Sequence, residues 1–346
     1  MRTGIIGCGK IASFHLNTIK GLSSVDVVGV ADASSENLKS FSNKYNIANT
    51  YSSLDELLKQ TKPNVIHILT PPKTHRDLAI TAMNRGCHVY VEKPMATNSK
   101  EANEMIKASE KNNVKLCVGH NLLFEPVVRQ AQEIVESFEF GDLVHLDVFF
   151  IFDTTRVADR APSDKNFSKH WVHSLKGGLL QDLAPHPLSL GLHFIPDITE
   201  VYTIAKKVNT NGGLVNDELR VMIDSADSTG IISMSFRAQP DNILLNLYGT
   251  KMTVKVDVSN MLLVKQKLFK LPKKVSRGLD NLSQSLQIST QTIGNVLRFA
   301  TGGVKDAGGM GVIIREFYKS IENNTLPPVI GREAAKVVEL MNKIWN

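Results

Sequence analysis

Three side chains in this sequence have the chemistry needed to handle a hydroxyl group and its proton. Lys93 follows a short predicted strand, His88–Val91, and an amine cation can stabilise an oxygen that becomes an alkoxide. Asp182 and His186 are four residues apart, a spacing that puts both on one face of a helix. A histidine accepts protons near neutral pH and a carboxylate can orient its ring. Structural roles are the alternative: a solvated lysine, a helix-start aspartate and a core histidine.

A glycine-rich turn near the start of the chain predicts where a nucleotide binds. The pattern Gly7-x-Gly9-x-x-Ala12 follows an apolar strand at 3–6 and precedes a helical pattern. In a strand-turn-helix, the glycines allow a tight bend and let the backbone approach a pyrophosphate, while the small third residue packs helix against strand. The alternative is an ordinary glycine-rich connection between a strand and a helix.

Asp32 ends the second predicted strand, at 25–31, and indicates which dinucleotide would bind. A carboxylate at this place attracts the 2′-hydroxyl of a ribose and repels a 2′-phosphate. The next residues, Ala33 and Ser34, supply no arginine to hold such a phosphate. The sequence therefore favours NAD over NADP.

The elements that would position these residues change character along the chain. Strands and helices alternate through the first 120 residues, which predicts a doubly wound α/β domain. After Asn121, strand-like runs with short turns predict a large, mainly antiparallel sheet. These runs are 143–152, 200–208, 218–223, 230–236, 243–247, 252–256 and 262–268. The predicted helices of this part are 126–138, 179–194, 279–300, 311–323 and 331–344.

Composition is that of a soluble globular protein, with 42% hydrophobic and 21% charged residues. The sequence contains no apolar run long enough to span a bilayer. A strand predicted to begin at residue 2 leaves no room for a signal peptide before it. Cys8, Cys87 and Cys117 have neither zinc nor CxxC spacing, and His186 with His193 lacks a third ligand at a metal-binding spacing. We therefore expect a cytoplasmic protein with reduced cysteines and no metal.

Four motifs taken together resemble the Gfo/Idh/MocA oxidoreductase family, whose signature is a Glu-Lys-Pro motif. They are Gly7-Cys8-Gly9-Lys10-Ile11-Ala12, Thr70-Pro71-Pro72-Lys73-Thr74-His75, Val91-Glu92-Lys93-Pro94-Met95-Ala96, and Gly177-Gly178 through Asp182 to His186. The resemblance is specific through Asn121, good from Gly177 to His186 and weak from Lys206 to Gly309.

This resemblance implies a Rossmann NAD-binding domain at 1–121 and an open-faced α+β domain for substrate binding and oligomerisation at 122–346, with the C-terminal helix packing back on the first. It also implies NAD(P)-dependent oxidation of sugars, cyclitols or nucleotide sugars. Residues implied to line the cofactor are Gly7, Gly9, Lys10, Ile11, Ala12, Asp32, Thr70, Pro71, His75, Glu92, Lys93 and Asn121. Residues implied to bind substrate are Lys93, Trp171, His173, Asp182 and His186, of which Lys93, Asp182 and His186 are the catalytic ones.

Two departures from the family pattern concern the substrate side of the site. Where the family often has Trp-Arg before the glycines, this chain has His170-Trp171-Val172-His173, so an arginine contact is missing or is replaced by His173 or Lys176. Pro185 and Pro187 bracket His186, so a helix either begins there, with proline in its first turn, or is kinked. The alternative functions within this family are an NAD-dependent glycosidase and a non-catalytic NAD- and sugar-sensing regulator.

A basic stretch at 262–279 carries the whole net charge of +6, since without its six basic residues the chain has 34 basic and 34 acidic residues. These six are Lys265, Lys267, Lys270, Lys273, Lys274 and Arg277. One interpretation is a solvated edge strand, with lysines that prevent edge pairing, followed by a packing helix. The other is an anion site for acidic membrane lipids or for the diphosphate of a nucleotide sugar or lipid-linked sugar. A single aromatic residue in the stretch argues against nucleic acid.

Quaternary structure is the last expectation from the sequence. Several long strands and few helices imply a broad sheet face that this chain does not cover. An open apolar face usually marks an interface. We therefore expect a homodimer or homotetramer built on the sheet.

Overall fold

The glycine-rich turn follows the first strand of a parallel sheet. The structure is a computed structural model, and it describes residues 1–153, 171–209, 214–267, 269–301 and 308–345. The strands are β1 (Arg2–Ile6), β2 (Asp26–Ala31), β3 (Thr50–Tyr51), β4 (Val65–Ile68), β5 (His88–Val91) and β6 (Leu116–Val118). Their order is β3-β2-β1-β4-β5-β6. The direction of winding reverses between β1 and β4, and open parallel sheets bind ligands at the carboxyl ends of the strands beside such a point. The predicted doubly wound domain is confirmed.

Helices connect these strands, and three of the five begin at a side-chain cap. They are α1 (Ala12–Lys20), α2 (Ser35–Tyr45), α3 (Leu54–Thr61), α4 (His75–Asn84) and α5 (Ser99–Lys111). The side chains of Ser34, Ser53 and Asn98 each accept a hydrogen bond from a backbone N–H in the first turn of α2, α3 and α5. Such caps satisfy donors that a helix start leaves open.

The second sheet has seven described strands and matches the predicted mainly antiparallel architecture. They are β7 (Leu143–Ile151), β8 (Glu200–Lys206), β9 (Glu218–Asp224), β10 (Thr229–Ser235), β11 (Asn242–Gly249), β12 (Thr253–Asp257) and β13 (Leu262–Gln266). Their order is β13-β12-β11-β7-β10-β9-β8, and among the described pairs of this second sheet only the central pair, β7 with β10, is parallel.

Helices cover one face of this second sheet. They are α6 (Pro126–Val135), which packs on β12 and β13, and α8 (Pro185–Phe194), which packs on β7 and β10, while the short helix α7 (Gly178–Leu183) contacts α8. The single helix predicted at 179–194 is therefore wrong: Ala184 separates α7 from α8. The reason is Pro185, whose missing N–H cannot continue α7 but suits the first turn of a new helix. Of the two sequence alternatives, the structure has the helix that begins beside His186.

The last helices are α9 (Lys273–Ala300), α10 (Gly309–Glu322) and α11 (Gly331–Trp345). Helix α9 begins six residues before the predicted start at 279. The chain divides into a first unit of Met1–Asn121 with Met310–Asn342 and a second unit of Leu122–Gly309 with Lys343–Asn346. Within the first unit, the Val118 N–H donates to the Val329 carbonyl at 3.4 Å, so the late segment joins the sheet beside β6.

Candidate active site

The turn after β1 forms a cradle with room for a ligand. Gly7 has a φ of +98°, and a Cβ there would lie 2.6 Å from the carbonyl carbon of Leu69, so only glycine fits. A Cβ on Gly9 would meet nothing within 4 Å, which leaves the space above the turn open. Helix α1 begins at Ala12 with no side-chain cap. An uncapped helix start presents N–H donors and a positive dipole end to an anion, which suits a pyrophosphate.

Asp32 lies beside this cradle, directly after β2, and is fixed by backbone amides. One carboxylate oxygen accepts from the Cys8 N–H and the other from the Ser34 N–H, both at 2.7 Å. Its charge is thus held at the turn, where a ribose would bind. Burial, aided by Asp32, raises the pKa of the Cys8 thiol to about 12, so Cys8 is a protonated packing residue at neutral pH.

His75 joins the ends of two neighbouring strands. One ring nitrogen lies 2.7 Å from the Thr70 carbonyl after β4, and the other lies 3.0 Å from the Pro94 carbonyl after β5. Burial lowers the pKa of His75, although these carbonyl contacts oppose the shift. The neutral ring then donates to one of the two carbonyls. The His75 ring therefore lies between the Thr70 carbonyl and the Pro94 carbonyl, which places the Thr70-Pro71 segment next to the segment that carries Lys93.

Glu92, the residue before Lys93, is partly buried, with its side chain 12% exposed, and lies at one end of a series of hydrogen bonds. Its Oε1 lies 3.1 Å from Nε2 of His15, whose Nδ1 lies 3.0 Å from Nδ1 of His67. Nε2 of His67 lies 3.0 Å from the Tyr318 hydroxyl, which lies 2.8 Å from the Thr3 hydroxyl. The series thus runs from one end of β1 to the Glu-Lys-Pro motif.

The pKa shifts of Glu92 and His67 indicate how this series of hydrogen-bonded side chains is protonated. Burial would raise the pKa of Glu92, but the hydrogen bond from His15 and the charges of His15 and Lys93 lower it overall. Burial holds the pKa of His67 well below its usual value, so that ring is neutral. With Glu92 as an acceptor, His15 donates through Nε2. This bond holds the Glu92 carboxylate in place next to Lys93.

Unsatisfied polar atoms lie in β5 and directly after β6. Among the described residues, the Tyr90 hydroxyl, both ring nitrogens of His120 and Oδ1 of Asn121 are buried without a hydrogen-bond partner. Burial and the charge of Lys93 lower the pKa of His120 to about 4 although Glu92 opposes this, so its ring is neutral. Buried polar groups normally find partners. These atoms therefore fit a polar ligand, and with the cradle they fit a dinucleotide cofactor.

Substrate-side residues occupy a separate stretch of the second unit. Asp182 lies in α7 and His186 in the first turn of α8, so the same-face argument from a single helix does not apply. The His186 ring stacks on Phe150, with centroids 6.2 Å apart and planes 3° apart. Trp171 and His173 lie in a 3₁₀ turn, Trp171–Ser174, where His173 is exposed. His170 lies outside the described residues.

Within the first unit, the structure brings the predicted cofactor residues to one edge of the parallel sheet. Sequence reasoning missed the buried partners that hold them: His15, His67, Tyr90, His120 and Tyr318. Two of these carried a signal. A histidine interrupts the buried run of β4, and another lies in the buried stripe of α1. No group of three or more His, Cys, Asp or Glu side chains within the described ranges is placed to hold a metal.

Curated relatives resemble this chain at low identity. It is 29% identical over 199 residues to Oxidoreductase P35 of Formosa agariphila (57% of this chain and 61% of that protein). It is 23% identical to the myo-inositol 2-dehydrogenase of Thermotoga maritima over 260 residues, covering 74% of this chain and 72% of the relative.

A solved structure supports the same fold. The WlbA dehydrogenase from Bordetella pertussis, in complex with NADH and UDP-GlcNAcA, aligns with a TM-score of 0.78 at 20% identity. The alignment covers 100% of this chain and 94% of that one. Residues 1–120 match the model of an oxidoreductase family with an NAD-binding Rossmann fold, and residues 128–255 match the GFO/IDH/MocA C-terminal domain. With both domains matched in order, this chain belongs to the Gfo/Idh/MocA oxidoreductase family.

Proposed function

We propose that this protein is an NAD-dependent dehydrogenase that oxidises a secondary alcohol of a sugar, cyclitol or nucleotide sugar. The observation that carries the proposal is the anchored Glu-Lys-Pro motif. The hydrogen bond from His15 to Glu92 on one side, and the buried His75 ring 3.0 Å from the Pro94 carbonyl on the other, hold Lys93 at the ligand-binding edge of the sheet. Because a solvated structural lysine would need no such support, the arrangement favours a chemical role for Lys93.

The proposed roles divide binding from proton transfer. When bound, NAD takes a hydride from the carbon that carries the hydroxyl. Lys93 holds the substrate oxygen and stabilises the negative charge that develops on it. His186 accepts the hydroxyl proton, and Asp182 orients the substrate or shares the proton transfer. Trp171 and His173 are proposed substrate contacts.

The substrate class rests on the names of the relatives and solved neighbours. One relative is named for myo-inositol and one solved neighbour contains UDP-GlcNAcA, and both are polyhydroxylated alcohols. A screen of sugars, cyclitols and nucleotide sugars that follows NADH absorbance tests the proposal. NADH formation with one of them supports it. Glycoside cleavage with retained NAD and no net NADH would instead identify a glycosidase, and ligand binding without any turnover would identify a regulator.

Cofactor preference gives the first prediction. We expect NAD to bind at least tenfold more tightly than NADP, about 1.4 kcal/mol, because the fixed Asp32 carboxylate repels a 2′-phosphate. Asp32→Asn keeps an acceptor for the Cys8 or Ser34 amide but removes the charge. The difference between the NAD and NADP affinities should therefore become smaller. Titration of both cofactors into both proteins measures it. Equal affinities in the natural protein would refute the role given to Asp32.

Assembly gives the second prediction. On the uncovered face of the second sheet, Tyr202 and Met222 lie opposite each other on β8 and β9 and are 60% and 52% exposed. We expect a homodimer or homotetramer in which this face is buried. Sedimentation velocity should show it at micromolar concentration, and Tyr202→Glu with Met222→Glu should give a smaller species. Leu326→Glu, at an exposed leucine of the first unit, is the control. A monomeric natural protein would contradict the prediction.

A further inference from the structure

Helix α9 is attached to the rest of its unit by polar side chains. The Gln291 amide accepts from the Leu263 N–H at 2.8 Å and donates to the Leu263 carbonyl at 2.7 Å. Gln287 repeats this pair of bonds with Lys265, at 2.9 and 3.0 Å. These glutamines pair with the free edge of β13 as a neighbouring strand would. The edge is therefore closed by α9, not by lysine gatekeepers as one sequence interpretation held.

The rest of the inward stripe of α9 is polar as well. Asp280 accepts from Gln266 at 2.8 Å and from Gln284 at 2.9 Å, and it is 9% exposed. The Asn295 amide donates to the Met261 carbonyl at 3.0 Å, and the buried Ser276 hydroxyl accepts from the Phe269 N–H at 3.2 Å. Helix α9 thus buries its polar side, the reverse of what a surface helix normally does.

The apolar stripe of α9 faces away from the chain. Its members recur three, four or seven residues apart, so they lie on one side of the helix. They are Val275, Leu279, Leu282, Leu286, Ile293 and Leu297, with exposed fractions between 38% and 69%. One sequence interpretation was a packing helix, and α9 does pack on β13, but through its polar side, so the apolar stripe does not pack on the described chain. An exposed apolar stripe of this length indicates a binding surface.

Charge indicates what binds there. Exposed cations lie at both ends of α9, with Lys273, Lys274 and Arg277 in the first turns and Arg298 in the last. The only acidic residue between 268 and 301 is Asp280, which is buried and hydrogen-bonded. A second copy of this helix would bring cations against cations in either orientation. An anionic phospholipid surface offers both an apolar layer for the stripe and phosphates for the cations.

We propose that α9 docks this protein on an anionic membrane surface, with the helix axis in the plane of the interface. The helix is about 42 Å long at 1.5 Å per residue, and its segment 281–297 carries no charge. In the part of the chain that the structure describes, no helix is both long and apolar enough to cross a bilayer. Binding would therefore be peripheral, through the apolar stripe and the basic ends, while β13 holds the polar side.

Vesicle co-sedimentation of the full chain tests this docking. Vesicles of phosphatidylcholine containing phosphatidylglycerol should pull down the protein at low salt, and vesicles of phosphatidylcholine alone should bind at least tenfold less. High salt should weaken binding to the anionic vesicles, because the screening length falls from about 10 Å at 0.1 M to about 3 Å at 1 M. Absence of binding to anionic vesicles at low salt would overturn the proposal.

Two sets of variants assign the binding to α9. Leu282→Gln with Leu286→Gln removes apolar contact at side chains that are 69% and 65% exposed, so folding should be preserved. Lys273→Gln, Lys274→Gln and Arg277→Gln together remove charge. Each set should weaken vesicle binding at least tenfold. The matched controls are Leu326→Gln and a triple lysine-to-glutamine variant of α5 at Lys100, Lys107 and Lys111, which are exposed.

The remaining outcomes also decide the question. Unchanged vesicle binding in both α9 variants, or equal losses in the α5 control, would overturn the proposal. Sedimentation velocity of the same proteins without lipid tests the competing occupant. A smaller assembly in the leucine variant, together with unchanged vesicle binding, would show that a second copy covers the stripe. Loss of vesicle binding with an unchanged assembly and thermal midpoint would support membrane docking.

Discussion

Lys93→Ala should lower kcat by about a hundredfold or more and change the Kd for NAD by less than about threefold. The proposed role of the amine is to stabilise an oxygen whose negative charge grows during the reaction, and this interaction is stronger in the transition state than in the ground state. Removal of the amine should therefore appear in turnover. Steady-state kinetics and cofactor titration measure the two quantities separately.

The control for this variant is an exposed lysine elsewhere in the same unit. Lys100→Ala, in the first turn of α5, should leave both kcat and NAD affinity unchanged. Lys93→Arg keeps the charge but changes the shape of the donor, and it should recover part of the activity. If Lys93→Ala turns over at nearly the natural rate, the Glu-Lys-Pro motif holds structure only and the proposed mechanism fails.

His186→Ala is the second change for which we expect about a hundredfold or greater loss of kcat. Without a proton acceptor, the hydroxyl proton must leave to water as the hydride departs. NAD affinity should change little, because His186 lies in the second unit and the cradle lies in the first. His193→Ala, at the other end of the same helix α8, is the matched control. Measurement of kcat across a range of pH for each variant tests the role.

A pH series also separates the candidates for this proton transfer. Near-full turnover of His186→Ala at every pH would show that another group accepts the proton. His173 and Asp182 are then the next residues to replace, since both belong to the proposed substrate contacts. A large loss in His186→Ala together with a small one in His193→Ala would support the assignment.

Local signals in the sequence were sufficient to predict the fold of the nucleotide-binding unit. Gly7 and Gly9 between a strand and a helix predict the cradle, because the required backbone conformation is set within a few residues. Parallel strands at β1, β4 and β5 read as apolar runs because both sheet faces are covered. The same reasoning failed at 179–194, where a proline divides one predicted helix into two.

The sequence signals did not predict the long-range contacts. Nothing near Thr3 indicates that its hydroxyl contacts Tyr318, which lies 315 positions later. The period of α9 showed that it is amphipathic, but a period cannot say which side faces inward. The side of α9 that faces inward is set by Gln287 and Gln291, whose side-chain amides hydrogen-bond to the backbone edge of β13. Hydrophobic patterns do not record such a contact.

The Tyr318 contact has a consequence for the order in which the protein is made. Tyr318 and the segment at 329–330 complete the first unit, yet the ribosome makes them only after residues 122–309 of the second. Domains generally fold as units during synthesis, with the N-terminal one first. Here the first sheet to emerge must wait, with His67 lacking its hydroxyl partner, until residues 122–309 have been synthesised. Most of the second unit is therefore made before the first unit can be completed, and only residues 343–346 of the second unit follow.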